Sequence, residues 1–299
     1  MYKQLFNKCK SLLPRISETE LIALKSGTAS LDKQIFEGKV HYPKKLDIPY
    51  VFQDDSKINA LLEKYGHIEK IFPNGPFEKI FEYIGKEKFF SFIIPEKYGG
   101  IPLSVSELSS VLCKISSVNP SLGVSIMVPN SLGPAELLEH YGTLEQKNNY
   151  LPKLANGEFI PCFGLTGPHN GSDATGSIDA GTVIYQKNKK YIDLTINKRY
   201  ITLGPVANLI GLAFDLQDPY DLLDKGKPGI TVALVEKNHP GLEQLTHHNP
   251  LNVGFPNGTL KGDIKIPMEN VIGGEKNVGE GWKMLMECLA AGRGICLPS

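Results

Sequence analysis

Apolar residues recur at helical spacing through the first half of the chain and at strand-like spacing through the second, with the change of period near Phe159. From Ser17, which has Glu20 in capping-box position, Leu21, Leu24, Leu31 and Ile35 trace a helical stripe. Pro43 and Pro49 then break it. Lys57–Tyr65 and roughly Pro76–Lys88 are further helical blocks, and the second runs into Phe89-Phe90-Ser91-Phe92-Ile93-Ile94, which reads as core. After the turn Pro95–Gly100, the stretch Ser106–Ser117 carries Leu108, Val111, Leu112 and Ile115 on one helical face. Ser121–Val128 is an apolar segment of small residues, and Pro134–Tyr141 is helical. Thr143 with Gln146 caps a helix that runs to Leu154.

Short β-rich runs come next, bounded by Gly, Pro, Asn and Asp: Thr182–Tyr185, Tyr191–Ile196, Lys198–Thr202, Leu209–Asp215, Ile230–Val235 and Gly262–Ile266. They predict a compact antiparallel β-domain. Beyond Gly279-Glu280-Gly281 a helix resumes, with Trp282, Leu285, Met286 and Leu289 on one face. The predicted class is α+β. Helices over 1–157, a compact antiparallel β-domain over 158–275 whose strands suit a barrel or a sandwich, and a helix cut short over 276–299 make up that class, with something missing after the last.

Composition narrows the function without choosing it. The 299 residues suffice for about two domains and a sizeable core. Lys plus Arg equals Asp plus Glu at 32 each, so no net field recruits nucleic acid, and no basic stripe with interleaved aromatics is present. The five cysteines are odd in number and lack CxxC spacing, which predicts reduced thiols in a cytoplasmic setting and not a disulfide frame or zinc site. No apolar run approaches a membrane span, and Met1–Leu13 reads unlike a signal peptide. Phosphate-loop, dinucleotide, nucleophile-elbow and zinc-protease motifs are absent. His247-His248, flanked by polar residues, reads as a solvent-facing strand end.

One string does carry chemistry. Phe163-Gly164-Leu165-Thr166-Gly167-Pro168-His169-Asn170-Gly171-Ser172-Asp173-Ala174 begins as a short apolar strand, passes through Thr166 into a turn, and ends on two side chains that cap exposed N–H groups. A flat, electron-poor ring laid against it would take hydrogen bonds from backbone N–H groups and from the Thr166 hydroxyl, and Gly164 would let main chain come close. By composition alone, an ordinary turn between two elements fits equally well.

This string resembles the flavin-binding signature of acyl-CoA dehydrogenases, a Thr-x-Pro-x-x-Gly-Ser-Asp core after an aromatic residue. Ile94–Gly100, Val128–Pro134, Glu139–Thr143, Tyr150–Leu154, Lys198–Pro205, Pro250–Val253, Gly279–Leu285 and Gly292–Ser299 also resemble the long bacterial type that acts on fatty acyl-CoA, in order and over most of the chain after Pro76. The resemblance implies a helical domain, a β-domain and a C-terminal helical domain with FAD between them. It implies a homo-oligomer, cytoplasmic or peripheral to the inner membrane, without a transmembrane segment. The implied reaction takes a fatty acyl-CoA to its trans-2-enoyl-CoA and passes electrons to an electron-transfer flavoprotein.

Carried over residue by residue, the resemblance implies that Phe163, Gly164, Leu165 and Thr166 line the flavin and that Gly171 and Ser172 close the turn. Tyr200, Ile201 and Thr202 would pack beside the flavin, with Tyr200 where many relatives have Trp. Ser172 and Arg293 would meet the acyl-CoA. Gly167 and His169-Asn170 depart from the relatives' pattern. The position before Arg293, where some relatives carry the catalytic Glu, is Gly292, so no catalytic residue is assigned and the base is expected beyond Ser299. Glu280 and Glu287 are not assigned that role. The chain by itself is then expected to be inactive, to retain little FAD, and to expose the apolar face of its last helix. Two alternatives stand: a non-catalytic remnant that binds flavin or acyl-CoA, and an acyl-CoA oxidase or flavin monooxygenase of the same fold.

Overall fold

A computed structural model describes residues 55–296 except 132, 177, 246 and 247, together with 2, 3, 6, 7, 21, 22 and 37–39. The expected helical stripe from Ser17 to Ile35 and its break before Pro49 fall almost wholly outside the described residues. Residues Lys45–Ser299 form one compact unit.

Among the described residues of that unit, six helices precede the strands: α1 (Ser56–Tyr65), α2 (Phe77–Lys86), α3 (Val105–Val118), α4 (Pro120–Met127), α5 (Pro134–Tyr141) and α6 (Leu144–Ala155). Local chemistry sets where several of them start. Ser104 and Glu107 form a reciprocal capping box at α3, so that helix begins before the stretch its apolar stripe predicts. Asn119 caps α4 by accepting from Leu122 N at 3.0 Å and donates to the carbonyls of Gly66 and Ile68. The small-residue segment after Ser121 is thus a buried helix, because Gly123 and the serines let it sit flush against its neighbours. The aromatic run beyond α2 is core, with Phe89, Phe90 and Ile94 buried. The buried Asn130 joins it to α4: its Nδ2 donates to Phe89 O and Ile126 O, and its Oδ1 accepts from Phe92 N.

Seven strands come next among the described residues: β1 (Pro161–Gly164), β2 (Ala180–Gln186), β3 (Lys189–Thr202), β4 (Leu209–Gln217), β5 (Gly229–Glu236), β6 (Glu243–Leu245) and β7 (Asn257–Pro267). They form one curled sheet in the order β1-β4-β2-β3-β7-β6, with β5 on β4. The sheet is mixed and not wholly antiparallel as expected. β1 and β2 both run parallel to β4, on Pro161–Gly164 against Leu209–Leu212 and on Ala180–Thr182 against Asp215–Gln217. They are two pieces laid along β4, and residues 165–179 leave its edge between them. β4 is the most enclosed strand, its first six residues all buried. Two runs expected as separate strands, Tyr191–Ile196 and Lys198–Thr202, are a single strand β3 with a bulge between Lys198 and Ile201.

A final helix, α7 (Gly281–Cys296), lies against α3, α5 and β5. Met284, Leu285 and Cys288 are buried there, so of the face expected to be uncovered Leu285 is covered. Trp282, Met286 and Leu289 are half-buried. Helix α6 is fastened to the far end of the sheet by Gln146. Its Oε1 accepts from Thr143 N and from Gly273 N, both at 3.0 Å. Its Nε2 donates to Glu269 O at 3.0 Å and to Val271 O at 2.8 Å. No helix among the described residues is long and apolar enough to cross a membrane.

Candidate functional site

Residues 165–179 are held against β3 by polar groups on both sides of the excursion. Thr166 and Arg199 exchange two hydrogen bonds: Arg199 N donates to Thr166 O at 3.0 Å, and Thr166 Oγ1 donates to Arg199 O at 3.0 Å. One residue earlier, Lys198 is buried to 1% side-chain exposure, with Nζ 3.1 Å from Leu165 O and 3.0 Å from Asp179 Oδ2. Burial holds the Lys198 pKa below the usual lysine value, and Asp179 opposes that shift. Asp179 Oδ2 also accepts from Asn197 N. Inside the turn, Asn170 Nδ2 donates to Leu165 O and Ala174 O, and Gly167 N donates to Asn170 O.

The β3 bulge shapes the other half. Tyr200 sits at φ 60°, a left-handed conformation uncommon for a bulky residue, and the residue is 55% exposed. Its ring lies 4.6 Å from the His248 ring and 4.9 Å from the Arg199 guanidinium. Burial and the Arg199 charge hold His248 below the usual histidine pKa, and His248 Nε2 lies 2.9 Å from Thr259 Oγ1. Across the ladder, Asn257 faces Thr202. Asn257 Nδ2 approaches Tyr200 O at 3.5 Å and Thr202 Oγ1 at 3.3 Å, and its buried Oδ1 has no partner among the described residues.

The structure therefore brings Leu165 and Thr166 next to the segment Tyr200–Thr202, two stretches more than thirty residues apart, through Lys198 and Arg199. Phe163 is half-buried opposite Gly211, and a Cβ on Gly211 would come within 2.9 Å of the Phe163 ring. Gly164 is buried with the Leu212 and Leu260 side chains closing on it. Gly171 and Ser172 are exposed on the turn, and a Cβ at Gly171 would meet nothing. Ile201 turns into the core, while Thr202 is half-buried. Arg293 is exposed on α7, and no hydrogen bond or ion pair among the described residues ties it to the other positions. The Thr166 hydroxyl proton goes to Arg199 O, so in this structure that hydroxyl offers lone pairs and not a proton.

Residue-type reasoning passed over Lys198, Asp179 and Asn257. For Lys198 a signal was there: Ile192, Leu194, Ile196 and Lys198 share one face of β3 by strand period, so a charge falls on the buried face. A separate cavity of about 410 Å³ lies between α5 and α7, lined by Glu136, Leu137, His140, Tyr141, Met284, Glu287 and Cys288. Burial there raises the Glu136 pKa to about 7, against the opposing hydrogen bond of the Cys288 thiol.

A helical layer, a curled mixed sheet with an excursion off β4, and a helix returning to the first layer make up the α+β fold of acyl-CoA dehydrogenases. The structure matches an acyl-CoA dehydrogenase from Geobacillus kaustophilus with a TM-score of 0.62 at 26% identity, over 80% of this chain and 63% of that one. It also matches a Bacillus anthracis acyl-CoA dehydrogenase complexed with FAD, with a TM-score of 0.62 at 21% identity, over 92% of this chain and 40% of that one. Residues 56–158 match the acyl-CoA dehydrogenase N-terminal domain. An acyl-CoA dehydrogenase of Bacillus subtilis (strain 168) is 35% identical over 199 residues, 66% of this chain and 49% of the relative, so the chain spans about half of that protein's length. Residues 56–158 are thus an acyl-CoA dehydrogenase N-terminal domain, and the chain has acyl-CoA dehydrogenases as its homologues.

Proposed function

We propose that the chain is the N-terminal and middle part of a FAD-dependent dehydrogenase of fatty acyl-CoA, arranged as a helical domain over 1–157, a β-domain over 158–275 and the first helix of a further domain over 276–299. FAD is the cofactor by kinship with the FAD-complexed Bacillus anthracis protein. The observation that carries the reading is the pairing of Thr166 with Arg199, which sets one stretch of candidate flavin residues beside the other. The residues fit a flat, polar ring. Tyr200 is an exposed aromatic residue, Gly171 leaves open space, and Thr202 keeps a hydroxyl proton without an acceptor among the described residues. Phe163, Gly164, Leu165, Thr166, Gly171, Ser172, Tyr200, Ile201 and Thr202 would hold the cofactor, and Ser172 and Arg293 would face the acyl-CoA.

Bound flavin supplies the hydride acceptor. The chain's own part is to orient the ring and exclude water from one side of it. The electrons would then pass to an electron-transfer flavoprotein, and a homo-oligomer in the cytoplasm is the expected setting. The general base is not assigned in this chain: Gly292 is buried on α7, and no carboxylate stands from there to Ser299.

The test is a titration of the chain with FAD, followed by flavin fluorescence and by thermal shift, in parallel with turnover of acyl-CoA using an artificial electron acceptor. Saturable FAD binding that weakens in Tyr200→Ala, without turnover, is the expected result. No response to FAD by either readout would overturn the cofactor assignment. Turnover that disappears in Glu280→Gln or Glu287→Gln would place the base on α7.

A further inference from the structure

We propose that Asn257 is a positioning residue that fixes the Thr202 hydroxyl as a hydrogen-bond donor toward the ligand bound beside Tyr200–Thr202. The inference rests on the flavin reading above and adds to it a residue on another strand. Its ground is the directionality of hydrogen bonds. Tyr200 O can only accept, so the end of the Asn257 amide that approaches it at 3.5 Å is the nitrogen. The opposite amide orientation would set Oδ1 against that carbonyl, acceptor against acceptor.

With Nδ2 so placed, its second proton goes to Thr202 Oγ1 at 3.3 Å. The Thr202 oxygen therefore accepts, and its own proton is left for a different acceptor. No described residue supplies one. Thr166 is arranged the other way round, its proton given to Arg199 O, so the two threonines offer a ligand opposite hydrogen-bonding character.

The arrangement also explains why a buried asparagine stands at this position although its Oδ1 is left without a partner among the described residues. Such an orphan is unfavourable, and a serine would avoid it. Serine carries one proton, however, and two acceptors must be met here. Tyr200 O is one of them because the bulge at φ 60° turns that carbonyl out of the regular ladder. The two amide protons of Asn257 meet both acceptors from a single side chain on β7.

Two measurements test this, one of them without ligand. In side-chain amide NMR of the chain, both Asn257 protons should exchange slowly, and one of the pair should move upfield and exchange faster in Thr202→Val. If neither proton is protected, or neither responds to Thr202→Val, the assignment is overturned whatever FAD does. In the second, FAD affinity and the flavin absorbance spectrum are compared in Asn257→Asp, Thr202→Val, the double variant and Thr202→Ser. Aspartate accepts the Thr202 proton and so withdraws it from the ligand. Asn257→Asp and Thr202→Val should each weaken binding about three- to tenfold with the same spectral shift, the double variant should be no worse, and Thr202→Ser should match the parent. Additive losses, or an Asn257→Asp spectrum like the parent's, would overturn the proposal. FAD binding by the parent chain reports separately on the cofactor reading. If Asn257→Asp does not fold, the ligand-free spectrum and the Thr202→Val and Thr202→Ser pair still decide.

Discussion

Removing the more exposed partner of the Lys198–Asp179 pair should do the greater damage. Lys198 is 1% exposed and Asp179 is 21% exposed, so the two ends have different recourse when left alone. Asp179→Ala leaves a buried ammonium with only Leu165 O, and breaking a buried pair in this way costs about 3–5 kcal/mol. Lys198→Met fills the slot with a chain of similar length. It leaves Asp179 in reach of water and still bonded to Asn197 N, so the loss is mainly the unmet Leu165 carbonyl, about 1–3 kcal/mol. The double variant carries no stranded charge and should be more stable than Asp179→Ala alone, a coupling that two separate sites would not show. The assay is urea denaturation at constant m, read as the shift in midpoint. The pH dependence adds a sign. In the folded chain burial lowers the Lys198 pKa, so the folded state holds fewer protons than the unfolded state as pH climbs toward the usual lysine range. Asp179→Ala should therefore regain stability in alkali, and more so than the parent. A Lys198→Met loss exceeding that of Asp179→Ala, or strictly additive losses, would refute this account of the pair.

Two further outcomes are expected in other parts of the fold. Glu136 has its folded pKa raised to about 7 from an ordinary 4.5, so the folded state holds the extra proton. The stability from that proton is complete below about pH 4.5 and is lost as pH rises through 7, some 2–3 kcal/mol after solvent screening. Denaturation midpoints measured from pH 4 to 8 should show that loss in the parent and not in Glu136→Gln; equal slopes in both would sink the assignment. Gln146→Ala strands the Gly273 N–H and removes the donor to Glu269 O and Val271 O, and should lower stability by about 2–4 kcal/mol. Hydrogen exchange should show the excess opening at 269–273 together with the start of α6; loss confined to α6 would contradict the shared bonding.

What could be read from residues alone was what neighbouring residues decide. The Thr143–Gln146 box and the Leu108, Leu112 and Ile115 stripe are local signals, and both are present. The parallel pairing of β1 and β2 with β4 is not local, because only the finished sheet shows that two strands share one edge. The bulge at Tyr200 hid the unity of β3, since it shifts the register where the two halves of the alternation meet. The three-residue β6 is too short for any period to register. At the candidate site, the Phe163–Ala174 string stood out because turn chemistry is compact. Asp179 and Asn257 did not, because each acts by reaching a backbone atom distant along the chain.

Gln146 gives the fold a clock as well as a fastening. Its carboxamide oxygen can complete the cap of α6 as soon as that helix exists, but its remaining partners lie 123 to 127 residues further along the chain. At about 5–20 residues per second of synthesis, that is a wait on the order of 6–25 seconds. Throughout it the Nε2 group of Gln146 lacks the two carbonyls that hold it in the finished fold. Closure comes only when the last turn of the β-layer arrives, so the first layer records the completion of the second through a single side chain.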